Sequence, residues 1–175
     1  LMRLIKELKS DPIFIENTSL STSAINRKMD IELISRFFAY SNDLESYDGH
    51  VTNFVDRYIA KEGESWDESK EEHFKAEFNN TMQFVQKYFD RGFQKEDRNQ
   101  TPRVRFEAIA IGVNLALRDN PELEKAITRD KIIDMLSSDD FVRWTTTDAA
   151  NNRSKVIDRI YGVKNFLLTG NFASE

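Results

Sequence analysis

A chain of 175 residues with 11% aromatic side chains is long enough to bury the core of one domain, which excludes an intrinsically disordered protein. The absence of cysteine excludes disulfides, thiolate zinc sites and cysteine nucleophiles. The net charge of −5 argues against a generally basic nucleic-acid-binding protein, although residues 98–175 are nearly neutral and leave room for a local basic surface.

The N-terminal segment has neither the long apolar core nor the cleavage site of a signal peptide. The longest apolar stretch, residues 108–113, is far too short to span a bilayer. We therefore expect a cytoplasmic protein without membrane association. Because the chain begins with Leu1, in what reads as the second half of a helix, we expect it to be a piece of a longer protein.

Apolar residues recur at helical spacing in three segments of the first half of the chain. Asp30 is the predicted N-cap of a helix that ends at about residues 41–43. A shorter helix follows from Val51 to about Gly63, and residues 65–68 match a capping box for the next one. That third helix carries a stripe of five apolar residues, namely Phe74, Phe78, Met82, Val85 and Phe89.

In the second half of the chain, residues 104–117 are apolar on nearly all sides, which predicts a buried central helix surrounded by the others. We call this helix the hub. Short helices are predicted at 120–127, 130–136 and 139–144, then a polar connector at 145–150. A last helix at 151–168 should stop at Gly170. Strand signals are nearly absent. The predicted fold is all-α, a single domain over residues 1–175 built as an irregular multi-helix bundle around the central apolar helix.

No complete catalytic or metal site is visible in the sequence. Glycine-rich phosphate loops are absent, and His50 and His73 do not have the spacing of metal-ligand pairs. The acidic residues between 67 and 77 fit the first turns of a helix, where the helix dipole favours negative charge. We therefore assign no catalytic residue, no metal ligand and no cofactor to this chain.

Four arginines are the candidate binding residues. Arg36 and Arg159 lie in apolar helical settings. Arg27 and Arg153 lie near the starts of the same two helices. Arginine gives bidentate contacts to phosphate, which predicts a phosphate-facing or nucleic-acid-facing cluster. The alternative is structural pairing with carboxylates close in sequence, for which the candidates are Asp30, Glu32 and Asp158.

Several segments, taken in order, resemble the helical half of GmrSD-type proteins, which join a ParB/sulfiredoxin-like N-terminal domain to such a region. The segments are 26–40, 47–50 continuing into Phe54, 74–93, 105–108 and 152–160, so that the resemblance covers roughly residues 26–168. It implies a role in restriction of modified phage DNA, with nucleotide hydrolysis and DNA cleavage by the parent protein. A His-Asn-His-type nuclease domain often follows further downstream in that family.

The chain departs from the family in lacking its catalytic signature, Asp-Gly-Gln-Gln-Arg. Residues 48–50 share two letters with that motif but lie in the helical region, and no His-Asn-His constellation is present. The resemblance therefore implies a helical support or substrate-sensing part, with a ParB-like N-terminal domain in cis and DNA as partners. Mg²⁺ and nucleotide would belong to the parent protein. The alternative is an all-α protein-interaction or scaffold module with no nucleic-acid role.

Overall fold

The computed structural model describes residues 1–146 and 151–173, and its regular structure is helical throughout these ranges. The helices before the centre of the chain are α1 (Met2–Leu8), α2 (Pro12–Thr18), α3 (Thr22–Asn26), α4 (Met29–Asp43), α5 (Val51–Glu64) and α6 (Glu68–Tyr88). Those that follow are α7 (Arg103–Phe106), a π-helical segment (Glu107–Ile111), α8 (Gly112–Asp119), α9 (Arg129–Ser137), α10 (Asp139–Thr145) and α11 (Arg153–Thr169). The predicted all-α class is confirmed. None of the described helices is long and apolar enough to cross a membrane.

The central helix consists of α7, the π-helical segment and α8, which follow one another without leaving helical backbone angles. Residues 105–114 are all buried. Helix α11 packs along α8 and the π-helical segment, while α4 and α6 cover other sides. The predicted hub at about 104–117 is therefore confirmed, but the π turn inside it was not predicted.

Phenylalanine side chains join the helices that surround the hub. Phe78 of α6 lies edge-on to Phe37 of α4, with 5.4 Å between ring centroids. Phe14 of α2 meets Phe106 of α7 in the same edge-on manner at 6.4 Å. Edge-to-face pairs of this kind stabilise a core beyond the area that they bury. The aromatic core thus joins α4 to α6 and α2 to the central helix.

Two predicted helix caps are wrong. Helix α4 begins two residues earlier than expected, after Lys28 in a left-handed conformation with φ +59°, and Asp30 lies in the first turn rather than at the cap. Lys28 lies in the short turn between α3 and α4, where the chain changes direction. Helix α6 is capped by Asp67, which accepts from the Lys70 N–H at 2.8 Å, so the predicted capping box from Ser65 does not form.

The other boundaries after the hub agree in part with the predictions. Only a 3₁₀ turn, Leu123–Lys125, forms in the predicted helix at 120–127. Helices α9, α10 and α11 form as expected, and Gly170 ends α11 in the left-handed conformation. Of the predicted connector at 145–150, residues 147–150 lie outside the described residues.

Candidate functional site: a buried arginine–glutamate cluster and an adjoining cleft

A carboxylate in the middle of the hub binds two arginines from other helices. Glu107 is the first residue of the π-helical segment and is fully buried. Its Oε1 accepts from Nη1 of Arg36 on α4, and its Oε2 accepts from Nη2 of Arg159 on α11. Both arginines are buried, Arg159 to 1% exposure. We call Arg36, Glu107 and Arg159 the Glu107 cluster.

The cluster continues to the surface through a second carboxylate. Arg36 also donates to Glu32, one turn earlier on α4, at 2.6 Å. Glu32 in turn accepts two hydrogen bonds from Arg103 at the start of α7, each 2.8 Å long. Such two-pronged contacts add geometric specificity to an ion pair. The chain of charges therefore ties α11, the π-helical segment, α4 and α7 into one unit.

The electrostatic environment keeps these groups ionised. Burial lowers the pKa of Arg36, but the charges of Glu107 and Glu32 and the hydrogen bond to Glu107 together more than offset this, and the net shift is upward. Burial alone would raise the pKa of Glu32, yet the hydrogen bond from Arg103 and the charges of Arg36 and Arg103 bring it below its ordinary value. Glu32 is therefore a carboxylate at neutral pH, matched to its two arginines.

The position of Glu107 at a π turn is physically informative. A π turn places an extra residue in the helix and changes the direction in which the following side chains point. Turns of this kind are frequent at functional sites. Here the turn coincides with a carboxylate that bridges arginines 71 and 52 residues away in sequence. The π turn and the ion cluster therefore form one local feature of the fold.

The Glu107 cluster contains only two of the four candidate arginines, Arg36 and Arg159. Arg153, in the first turn of α11, donates from Nε to the Tyr47 carbonyl at 2.8 Å and lies 3.7 Å from Glu45. Arg27 ends α3, is exposed and has no ion-pair partner among the described residues. The structural alternative, local carboxylate pairing, is observed for Arg36 with Glu32.

Sequence reasoning missed Glu107. The available signal was a single carboxylate within an otherwise apolar, buried helix, because an ionised side chain in such a place needs a cation. That signal identifies the need for a partner, but not which one.

Tyr40 lies one turn after Arg36 on α4, and its ionisation makes the stability of the folded chain depend on pH. Burial raises the pKa of Tyr40, and the Glu107 charge raises it further. The folded state thus holds this proton more tightly than the unfolded chain, whose tyrosine pKa is about 10. The resulting stability is complete below that pH and is lost as the pH rises above it.

We therefore expect the melting temperature to fall as the pH rises from about 10 to about 11, and to fall less in Tyr40→Phe. Circular dichroism melts measure both. Tyr88→Phe, at a half-exposed position on α6, is the control and should retain the wild-type fall. An equal fall in Tyr40→Phe and wild type would contradict the role of Tyr40.

A cleft of about 350 Å³ opens between α4 and α5, beside the cluster, and Arg36 forms part of its lining. Its α5 wall has an aliphatic stripe of Val51, Val55 and Ile59, with Thr52 and Asp56 beside it. Arg27 and Lys28 lie at its edge. We call this feature the α4/α5 cleft. It is the place where the charged cluster comes nearest to an open, partly apolar surface.

Within residues 1–146 and 151–173, no group of three or more histidine or carboxylate side chains is arranged to hold a metal ion. Two acidic residues of α6, Glu71 and Glu77, make ion pairs with arginines instead. Glu71 pairs with Arg3 at 2.7 Å, and Glu77 accepts from Arg118 of α8. These contacts give the acidic segment a role in joining helices.

No protein-family model, curated protein or solved structure matches this chain. The basis for its function is therefore the chain's own residues, in particular the Glu107 cluster and the α4/α5 cleft.

Proposed function

We propose that this chain is the helical support or substrate-sensing part of a GmrSD-like DNA-restriction protein, without the catalytic motif of that family. The observation that supports the proposal is the meeting of segments that carry the resemblance. Arg36 from residues 26–40, Glu107 from 105–108 and Arg159 from 152–160 form one buried cluster. Such convergence is expected if the resemblance reflects a shared fold.

A further segment of the resemblance, residues 47–50, joins the same region. The Tyr47 hydroxyl donates to the Asn151 carbonyl at 2.6 Å, and the Tyr47 carbonyl accepts from Arg153. Tyr47 also packs edge-on against Tyr40, with ring centroids 5.2 Å apart. These contacts hold the start of α11 against the end of α4, and they support a rigid platform as the role of this part.

The paired arginines are poor candidates for a phosphate contact, because Arg36 and Arg159 already bind Glu107 inside the core. We therefore assign the phosphate contacts to the two exposed candidates, Arg27 and Arg153. A ParB-like N-terminal domain in cis and DNA are the proposed partners. Mg²⁺ and nucleotide are assigned to the parent protein.

Duplex DNA binding as a function of salt concentration tests the phosphate contacts. We expect Arg27→Ala and Arg153→Ala each to weaken binding evenly across DNA sequences and to lower the slope of log affinity against log salt by about 1. Fluorescence anisotropy measures both quantities. Arg129→Ala, which removes an exposed arginine of α9, is the matched control and should leave the slope unchanged. Unchanged slopes in folded Arg27→Ala and Arg153→Ala variants would refute the phosphate role.

The alternative function is an all-α protein-interaction or scaffold module with no nucleic-acid role. The observation in its favour is that the two arginines in apolar settings are occupied by a carboxylate, on a chain whose net charge is −5. Absence of salt-dependent DNA binding by the folded chain would favour this alternative over the DNA-restriction proposal.

A further inference from the structure

The α4/α5 cleft has an aliphatic floor that packs against the core on one side and stays half exposed to the cleft on the other. Helix α5 buries Phe54 and Tyr58, whereas Val51, Val55 and Ile59 form a second, half-buried stripe with a spacing of four residues. The stripe is about 12 Å long at the α-helical rise, or roughly two turns. Ile31 of α4 lines the same cleft. The floor is therefore long enough and apolar enough to contact one face of another helix.

The edge of the cleft carries two cations without partners. Arg27 and Lys28 are exposed, and neither has a carboxylate within ion-pair distance among the residues that the structure describes. The carboxylate of Glu32, also in the cleft, is already bound by Arg36 and Arg103. This edge is thus locally positive on a chain that is negative overall, while the exposed Asp56 of α5 is the acidic side chain of the lining that has no ion-pair partner among the described residues. A ligand with acidic groups beside an apolar face complements it.

A serine hydroxyl also belongs to the cleft. Ser35 of α4 is 6% exposed, and its oxygen is accessible at the cleft, since it is not among the buried polar atoms that lack a partner. It therefore adds a polar group to the lining. Among the described residues, the lining contains no aromatic side chain. Aromatic rings are the usual platforms for nucleobases, so the lining favours an aliphatic ligand with polar groups over a nucleobase.

We propose that the α4/α5 cleft binds an amphipathic helix of a partner protein. Aliphatic side chains of that helix, spaced by three or four residues, lie on the stripe of Val51, Val55 and Ile59. Aspartate or glutamate side chains beside them meet Arg27 and Lys28. The inference depends on the cleft and its charges, and Arg27 is the one residue that it shares with the DNA-restriction proposal.

A pair of synthetic peptides tests the proposal. The probe is a fluorescein-labelled helical peptide of about 15 residues, a length at which helices begin to form in water. It carries leucines at helical spacing and glutamates beside them, and its isomer has lysine in place of each glutamate. We expect the glutamate peptide to bind the full chain in fluorescence anisotropy, and the lysine peptide to bind about tenfold more weakly.

Variants of the cleft locate the binding. Arg27→Glu/Lys28→Glu, at exposed positions, should reverse the preference between the two peptides. Val55→Asp should abolish binding of both, with its fold checked by circular dichroism. Lys125→Glu/Lys131→Glu changes the charge by the same amount on an exposed surface elsewhere and should leave both affinities unchanged.

Equal affinity for the two peptides, absence of binding, or an unaltered preference in Arg27→Glu/Lys28→Glu would overturn the proposal. Duplex DNA that binds through Arg27 while the glutamate peptide does not bind would also overturn it, and would leave the DNA-restriction proposal standing. Peptide binding by a chain that does not bind DNA would support the cleft proposal and contradict the DNA-restriction proposal. The two proposals therefore fail separately.

Discussion

We expect Glu107→Ala to lower the free energy of unfolding by about 4 kcal/mol, because it leaves two buried arginines without their shared carboxylate. Arg159 has almost no access to water and cannot recover its hydration by a small movement. The loss is of the size seen when one partner of a buried ion pair is removed. Denaturant titration followed by circular dichroism measures it.

The control is an exposed ion pair elsewhere on the surface. Glu124 pairs with Lys87, and both side chains are largely exposed. Glu124→Ala should cost less than about 1 kcal/mol, because solvent screens such pairs. A loss in Glu107→Ala no larger than that in Glu124→Ala would show that the Glu107 cluster does not hold the hub together.

A triple replacement tests whether the Glu107 cluster contributes to DNA binding separately from its contribution to the stability of the fold. Arg36→Met/Glu107→Leu/Arg159→Met replaces three buried charges by apolar side chains, and such replacements are often neutral or stabilising. We expect this variant to regain most of the stability that Glu107→Ala loses. If it is stable but has lost DNA binding, the cluster supports the DNA contact through the arrangement of α4 and α11.

The helical class was predictable because apolar spacing is a local property. The stripe on α6 and the stop of α11 at Gly170 depend only on residues within one helix. The hub was predictable for the same reason, since a helix that is apolar all round has to be surrounded. Its π turn was not, because a segment without a polar face gives no periodicity from which an extra residue could be detected.

The candidate site was only half predictable. The apolar neighbours of Arg36 and Arg159 in the sequence marked both as candidates. The sequence alone predicted that they pair with carboxylates close to them in the chain. The actual bridge between the two, Glu107, lies 71 and 52 residues away and is a property of helix packing. The α4/α5 cleft likewise exists only once the end of α3 and helices α4 and α5 have come together.

Gly92 is the second position at which we expect a large effect. Its φ of +55° is costly for any other residue, and a Cβ atom there would lie 2.4 Å from the Asn17 carbonyl oxygen. The same oxygen accepts from the Phe93 N–H at 2.9 Å, while the Asn17 side chain donates to the Met82 carbonyl. The close approach therefore clamps α2 onto the end of α6, and the neighbouring backbone has no freedom to withdraw.

We expect Gly92→Ala to lower the free energy of unfolding by about 3 kcal/mol, as the sum of backbone strain and a steric overlap in the core. Two other glycines separate these causes in the same denaturant titration. Gly170 has φ +80° but open space around it, so Gly170→Ala should cost only about 1 kcal/mol. Gly63 lies within α5 with no neighbour near its Cβ position, so Gly63→Ala should stabilise by about 0.5 kcal/mol. If Gly92→Ala costs no more than Gly170→Ala, the contact with Asn17 is not rigid, and the clamp between α2 and α6 would have to be abandoned.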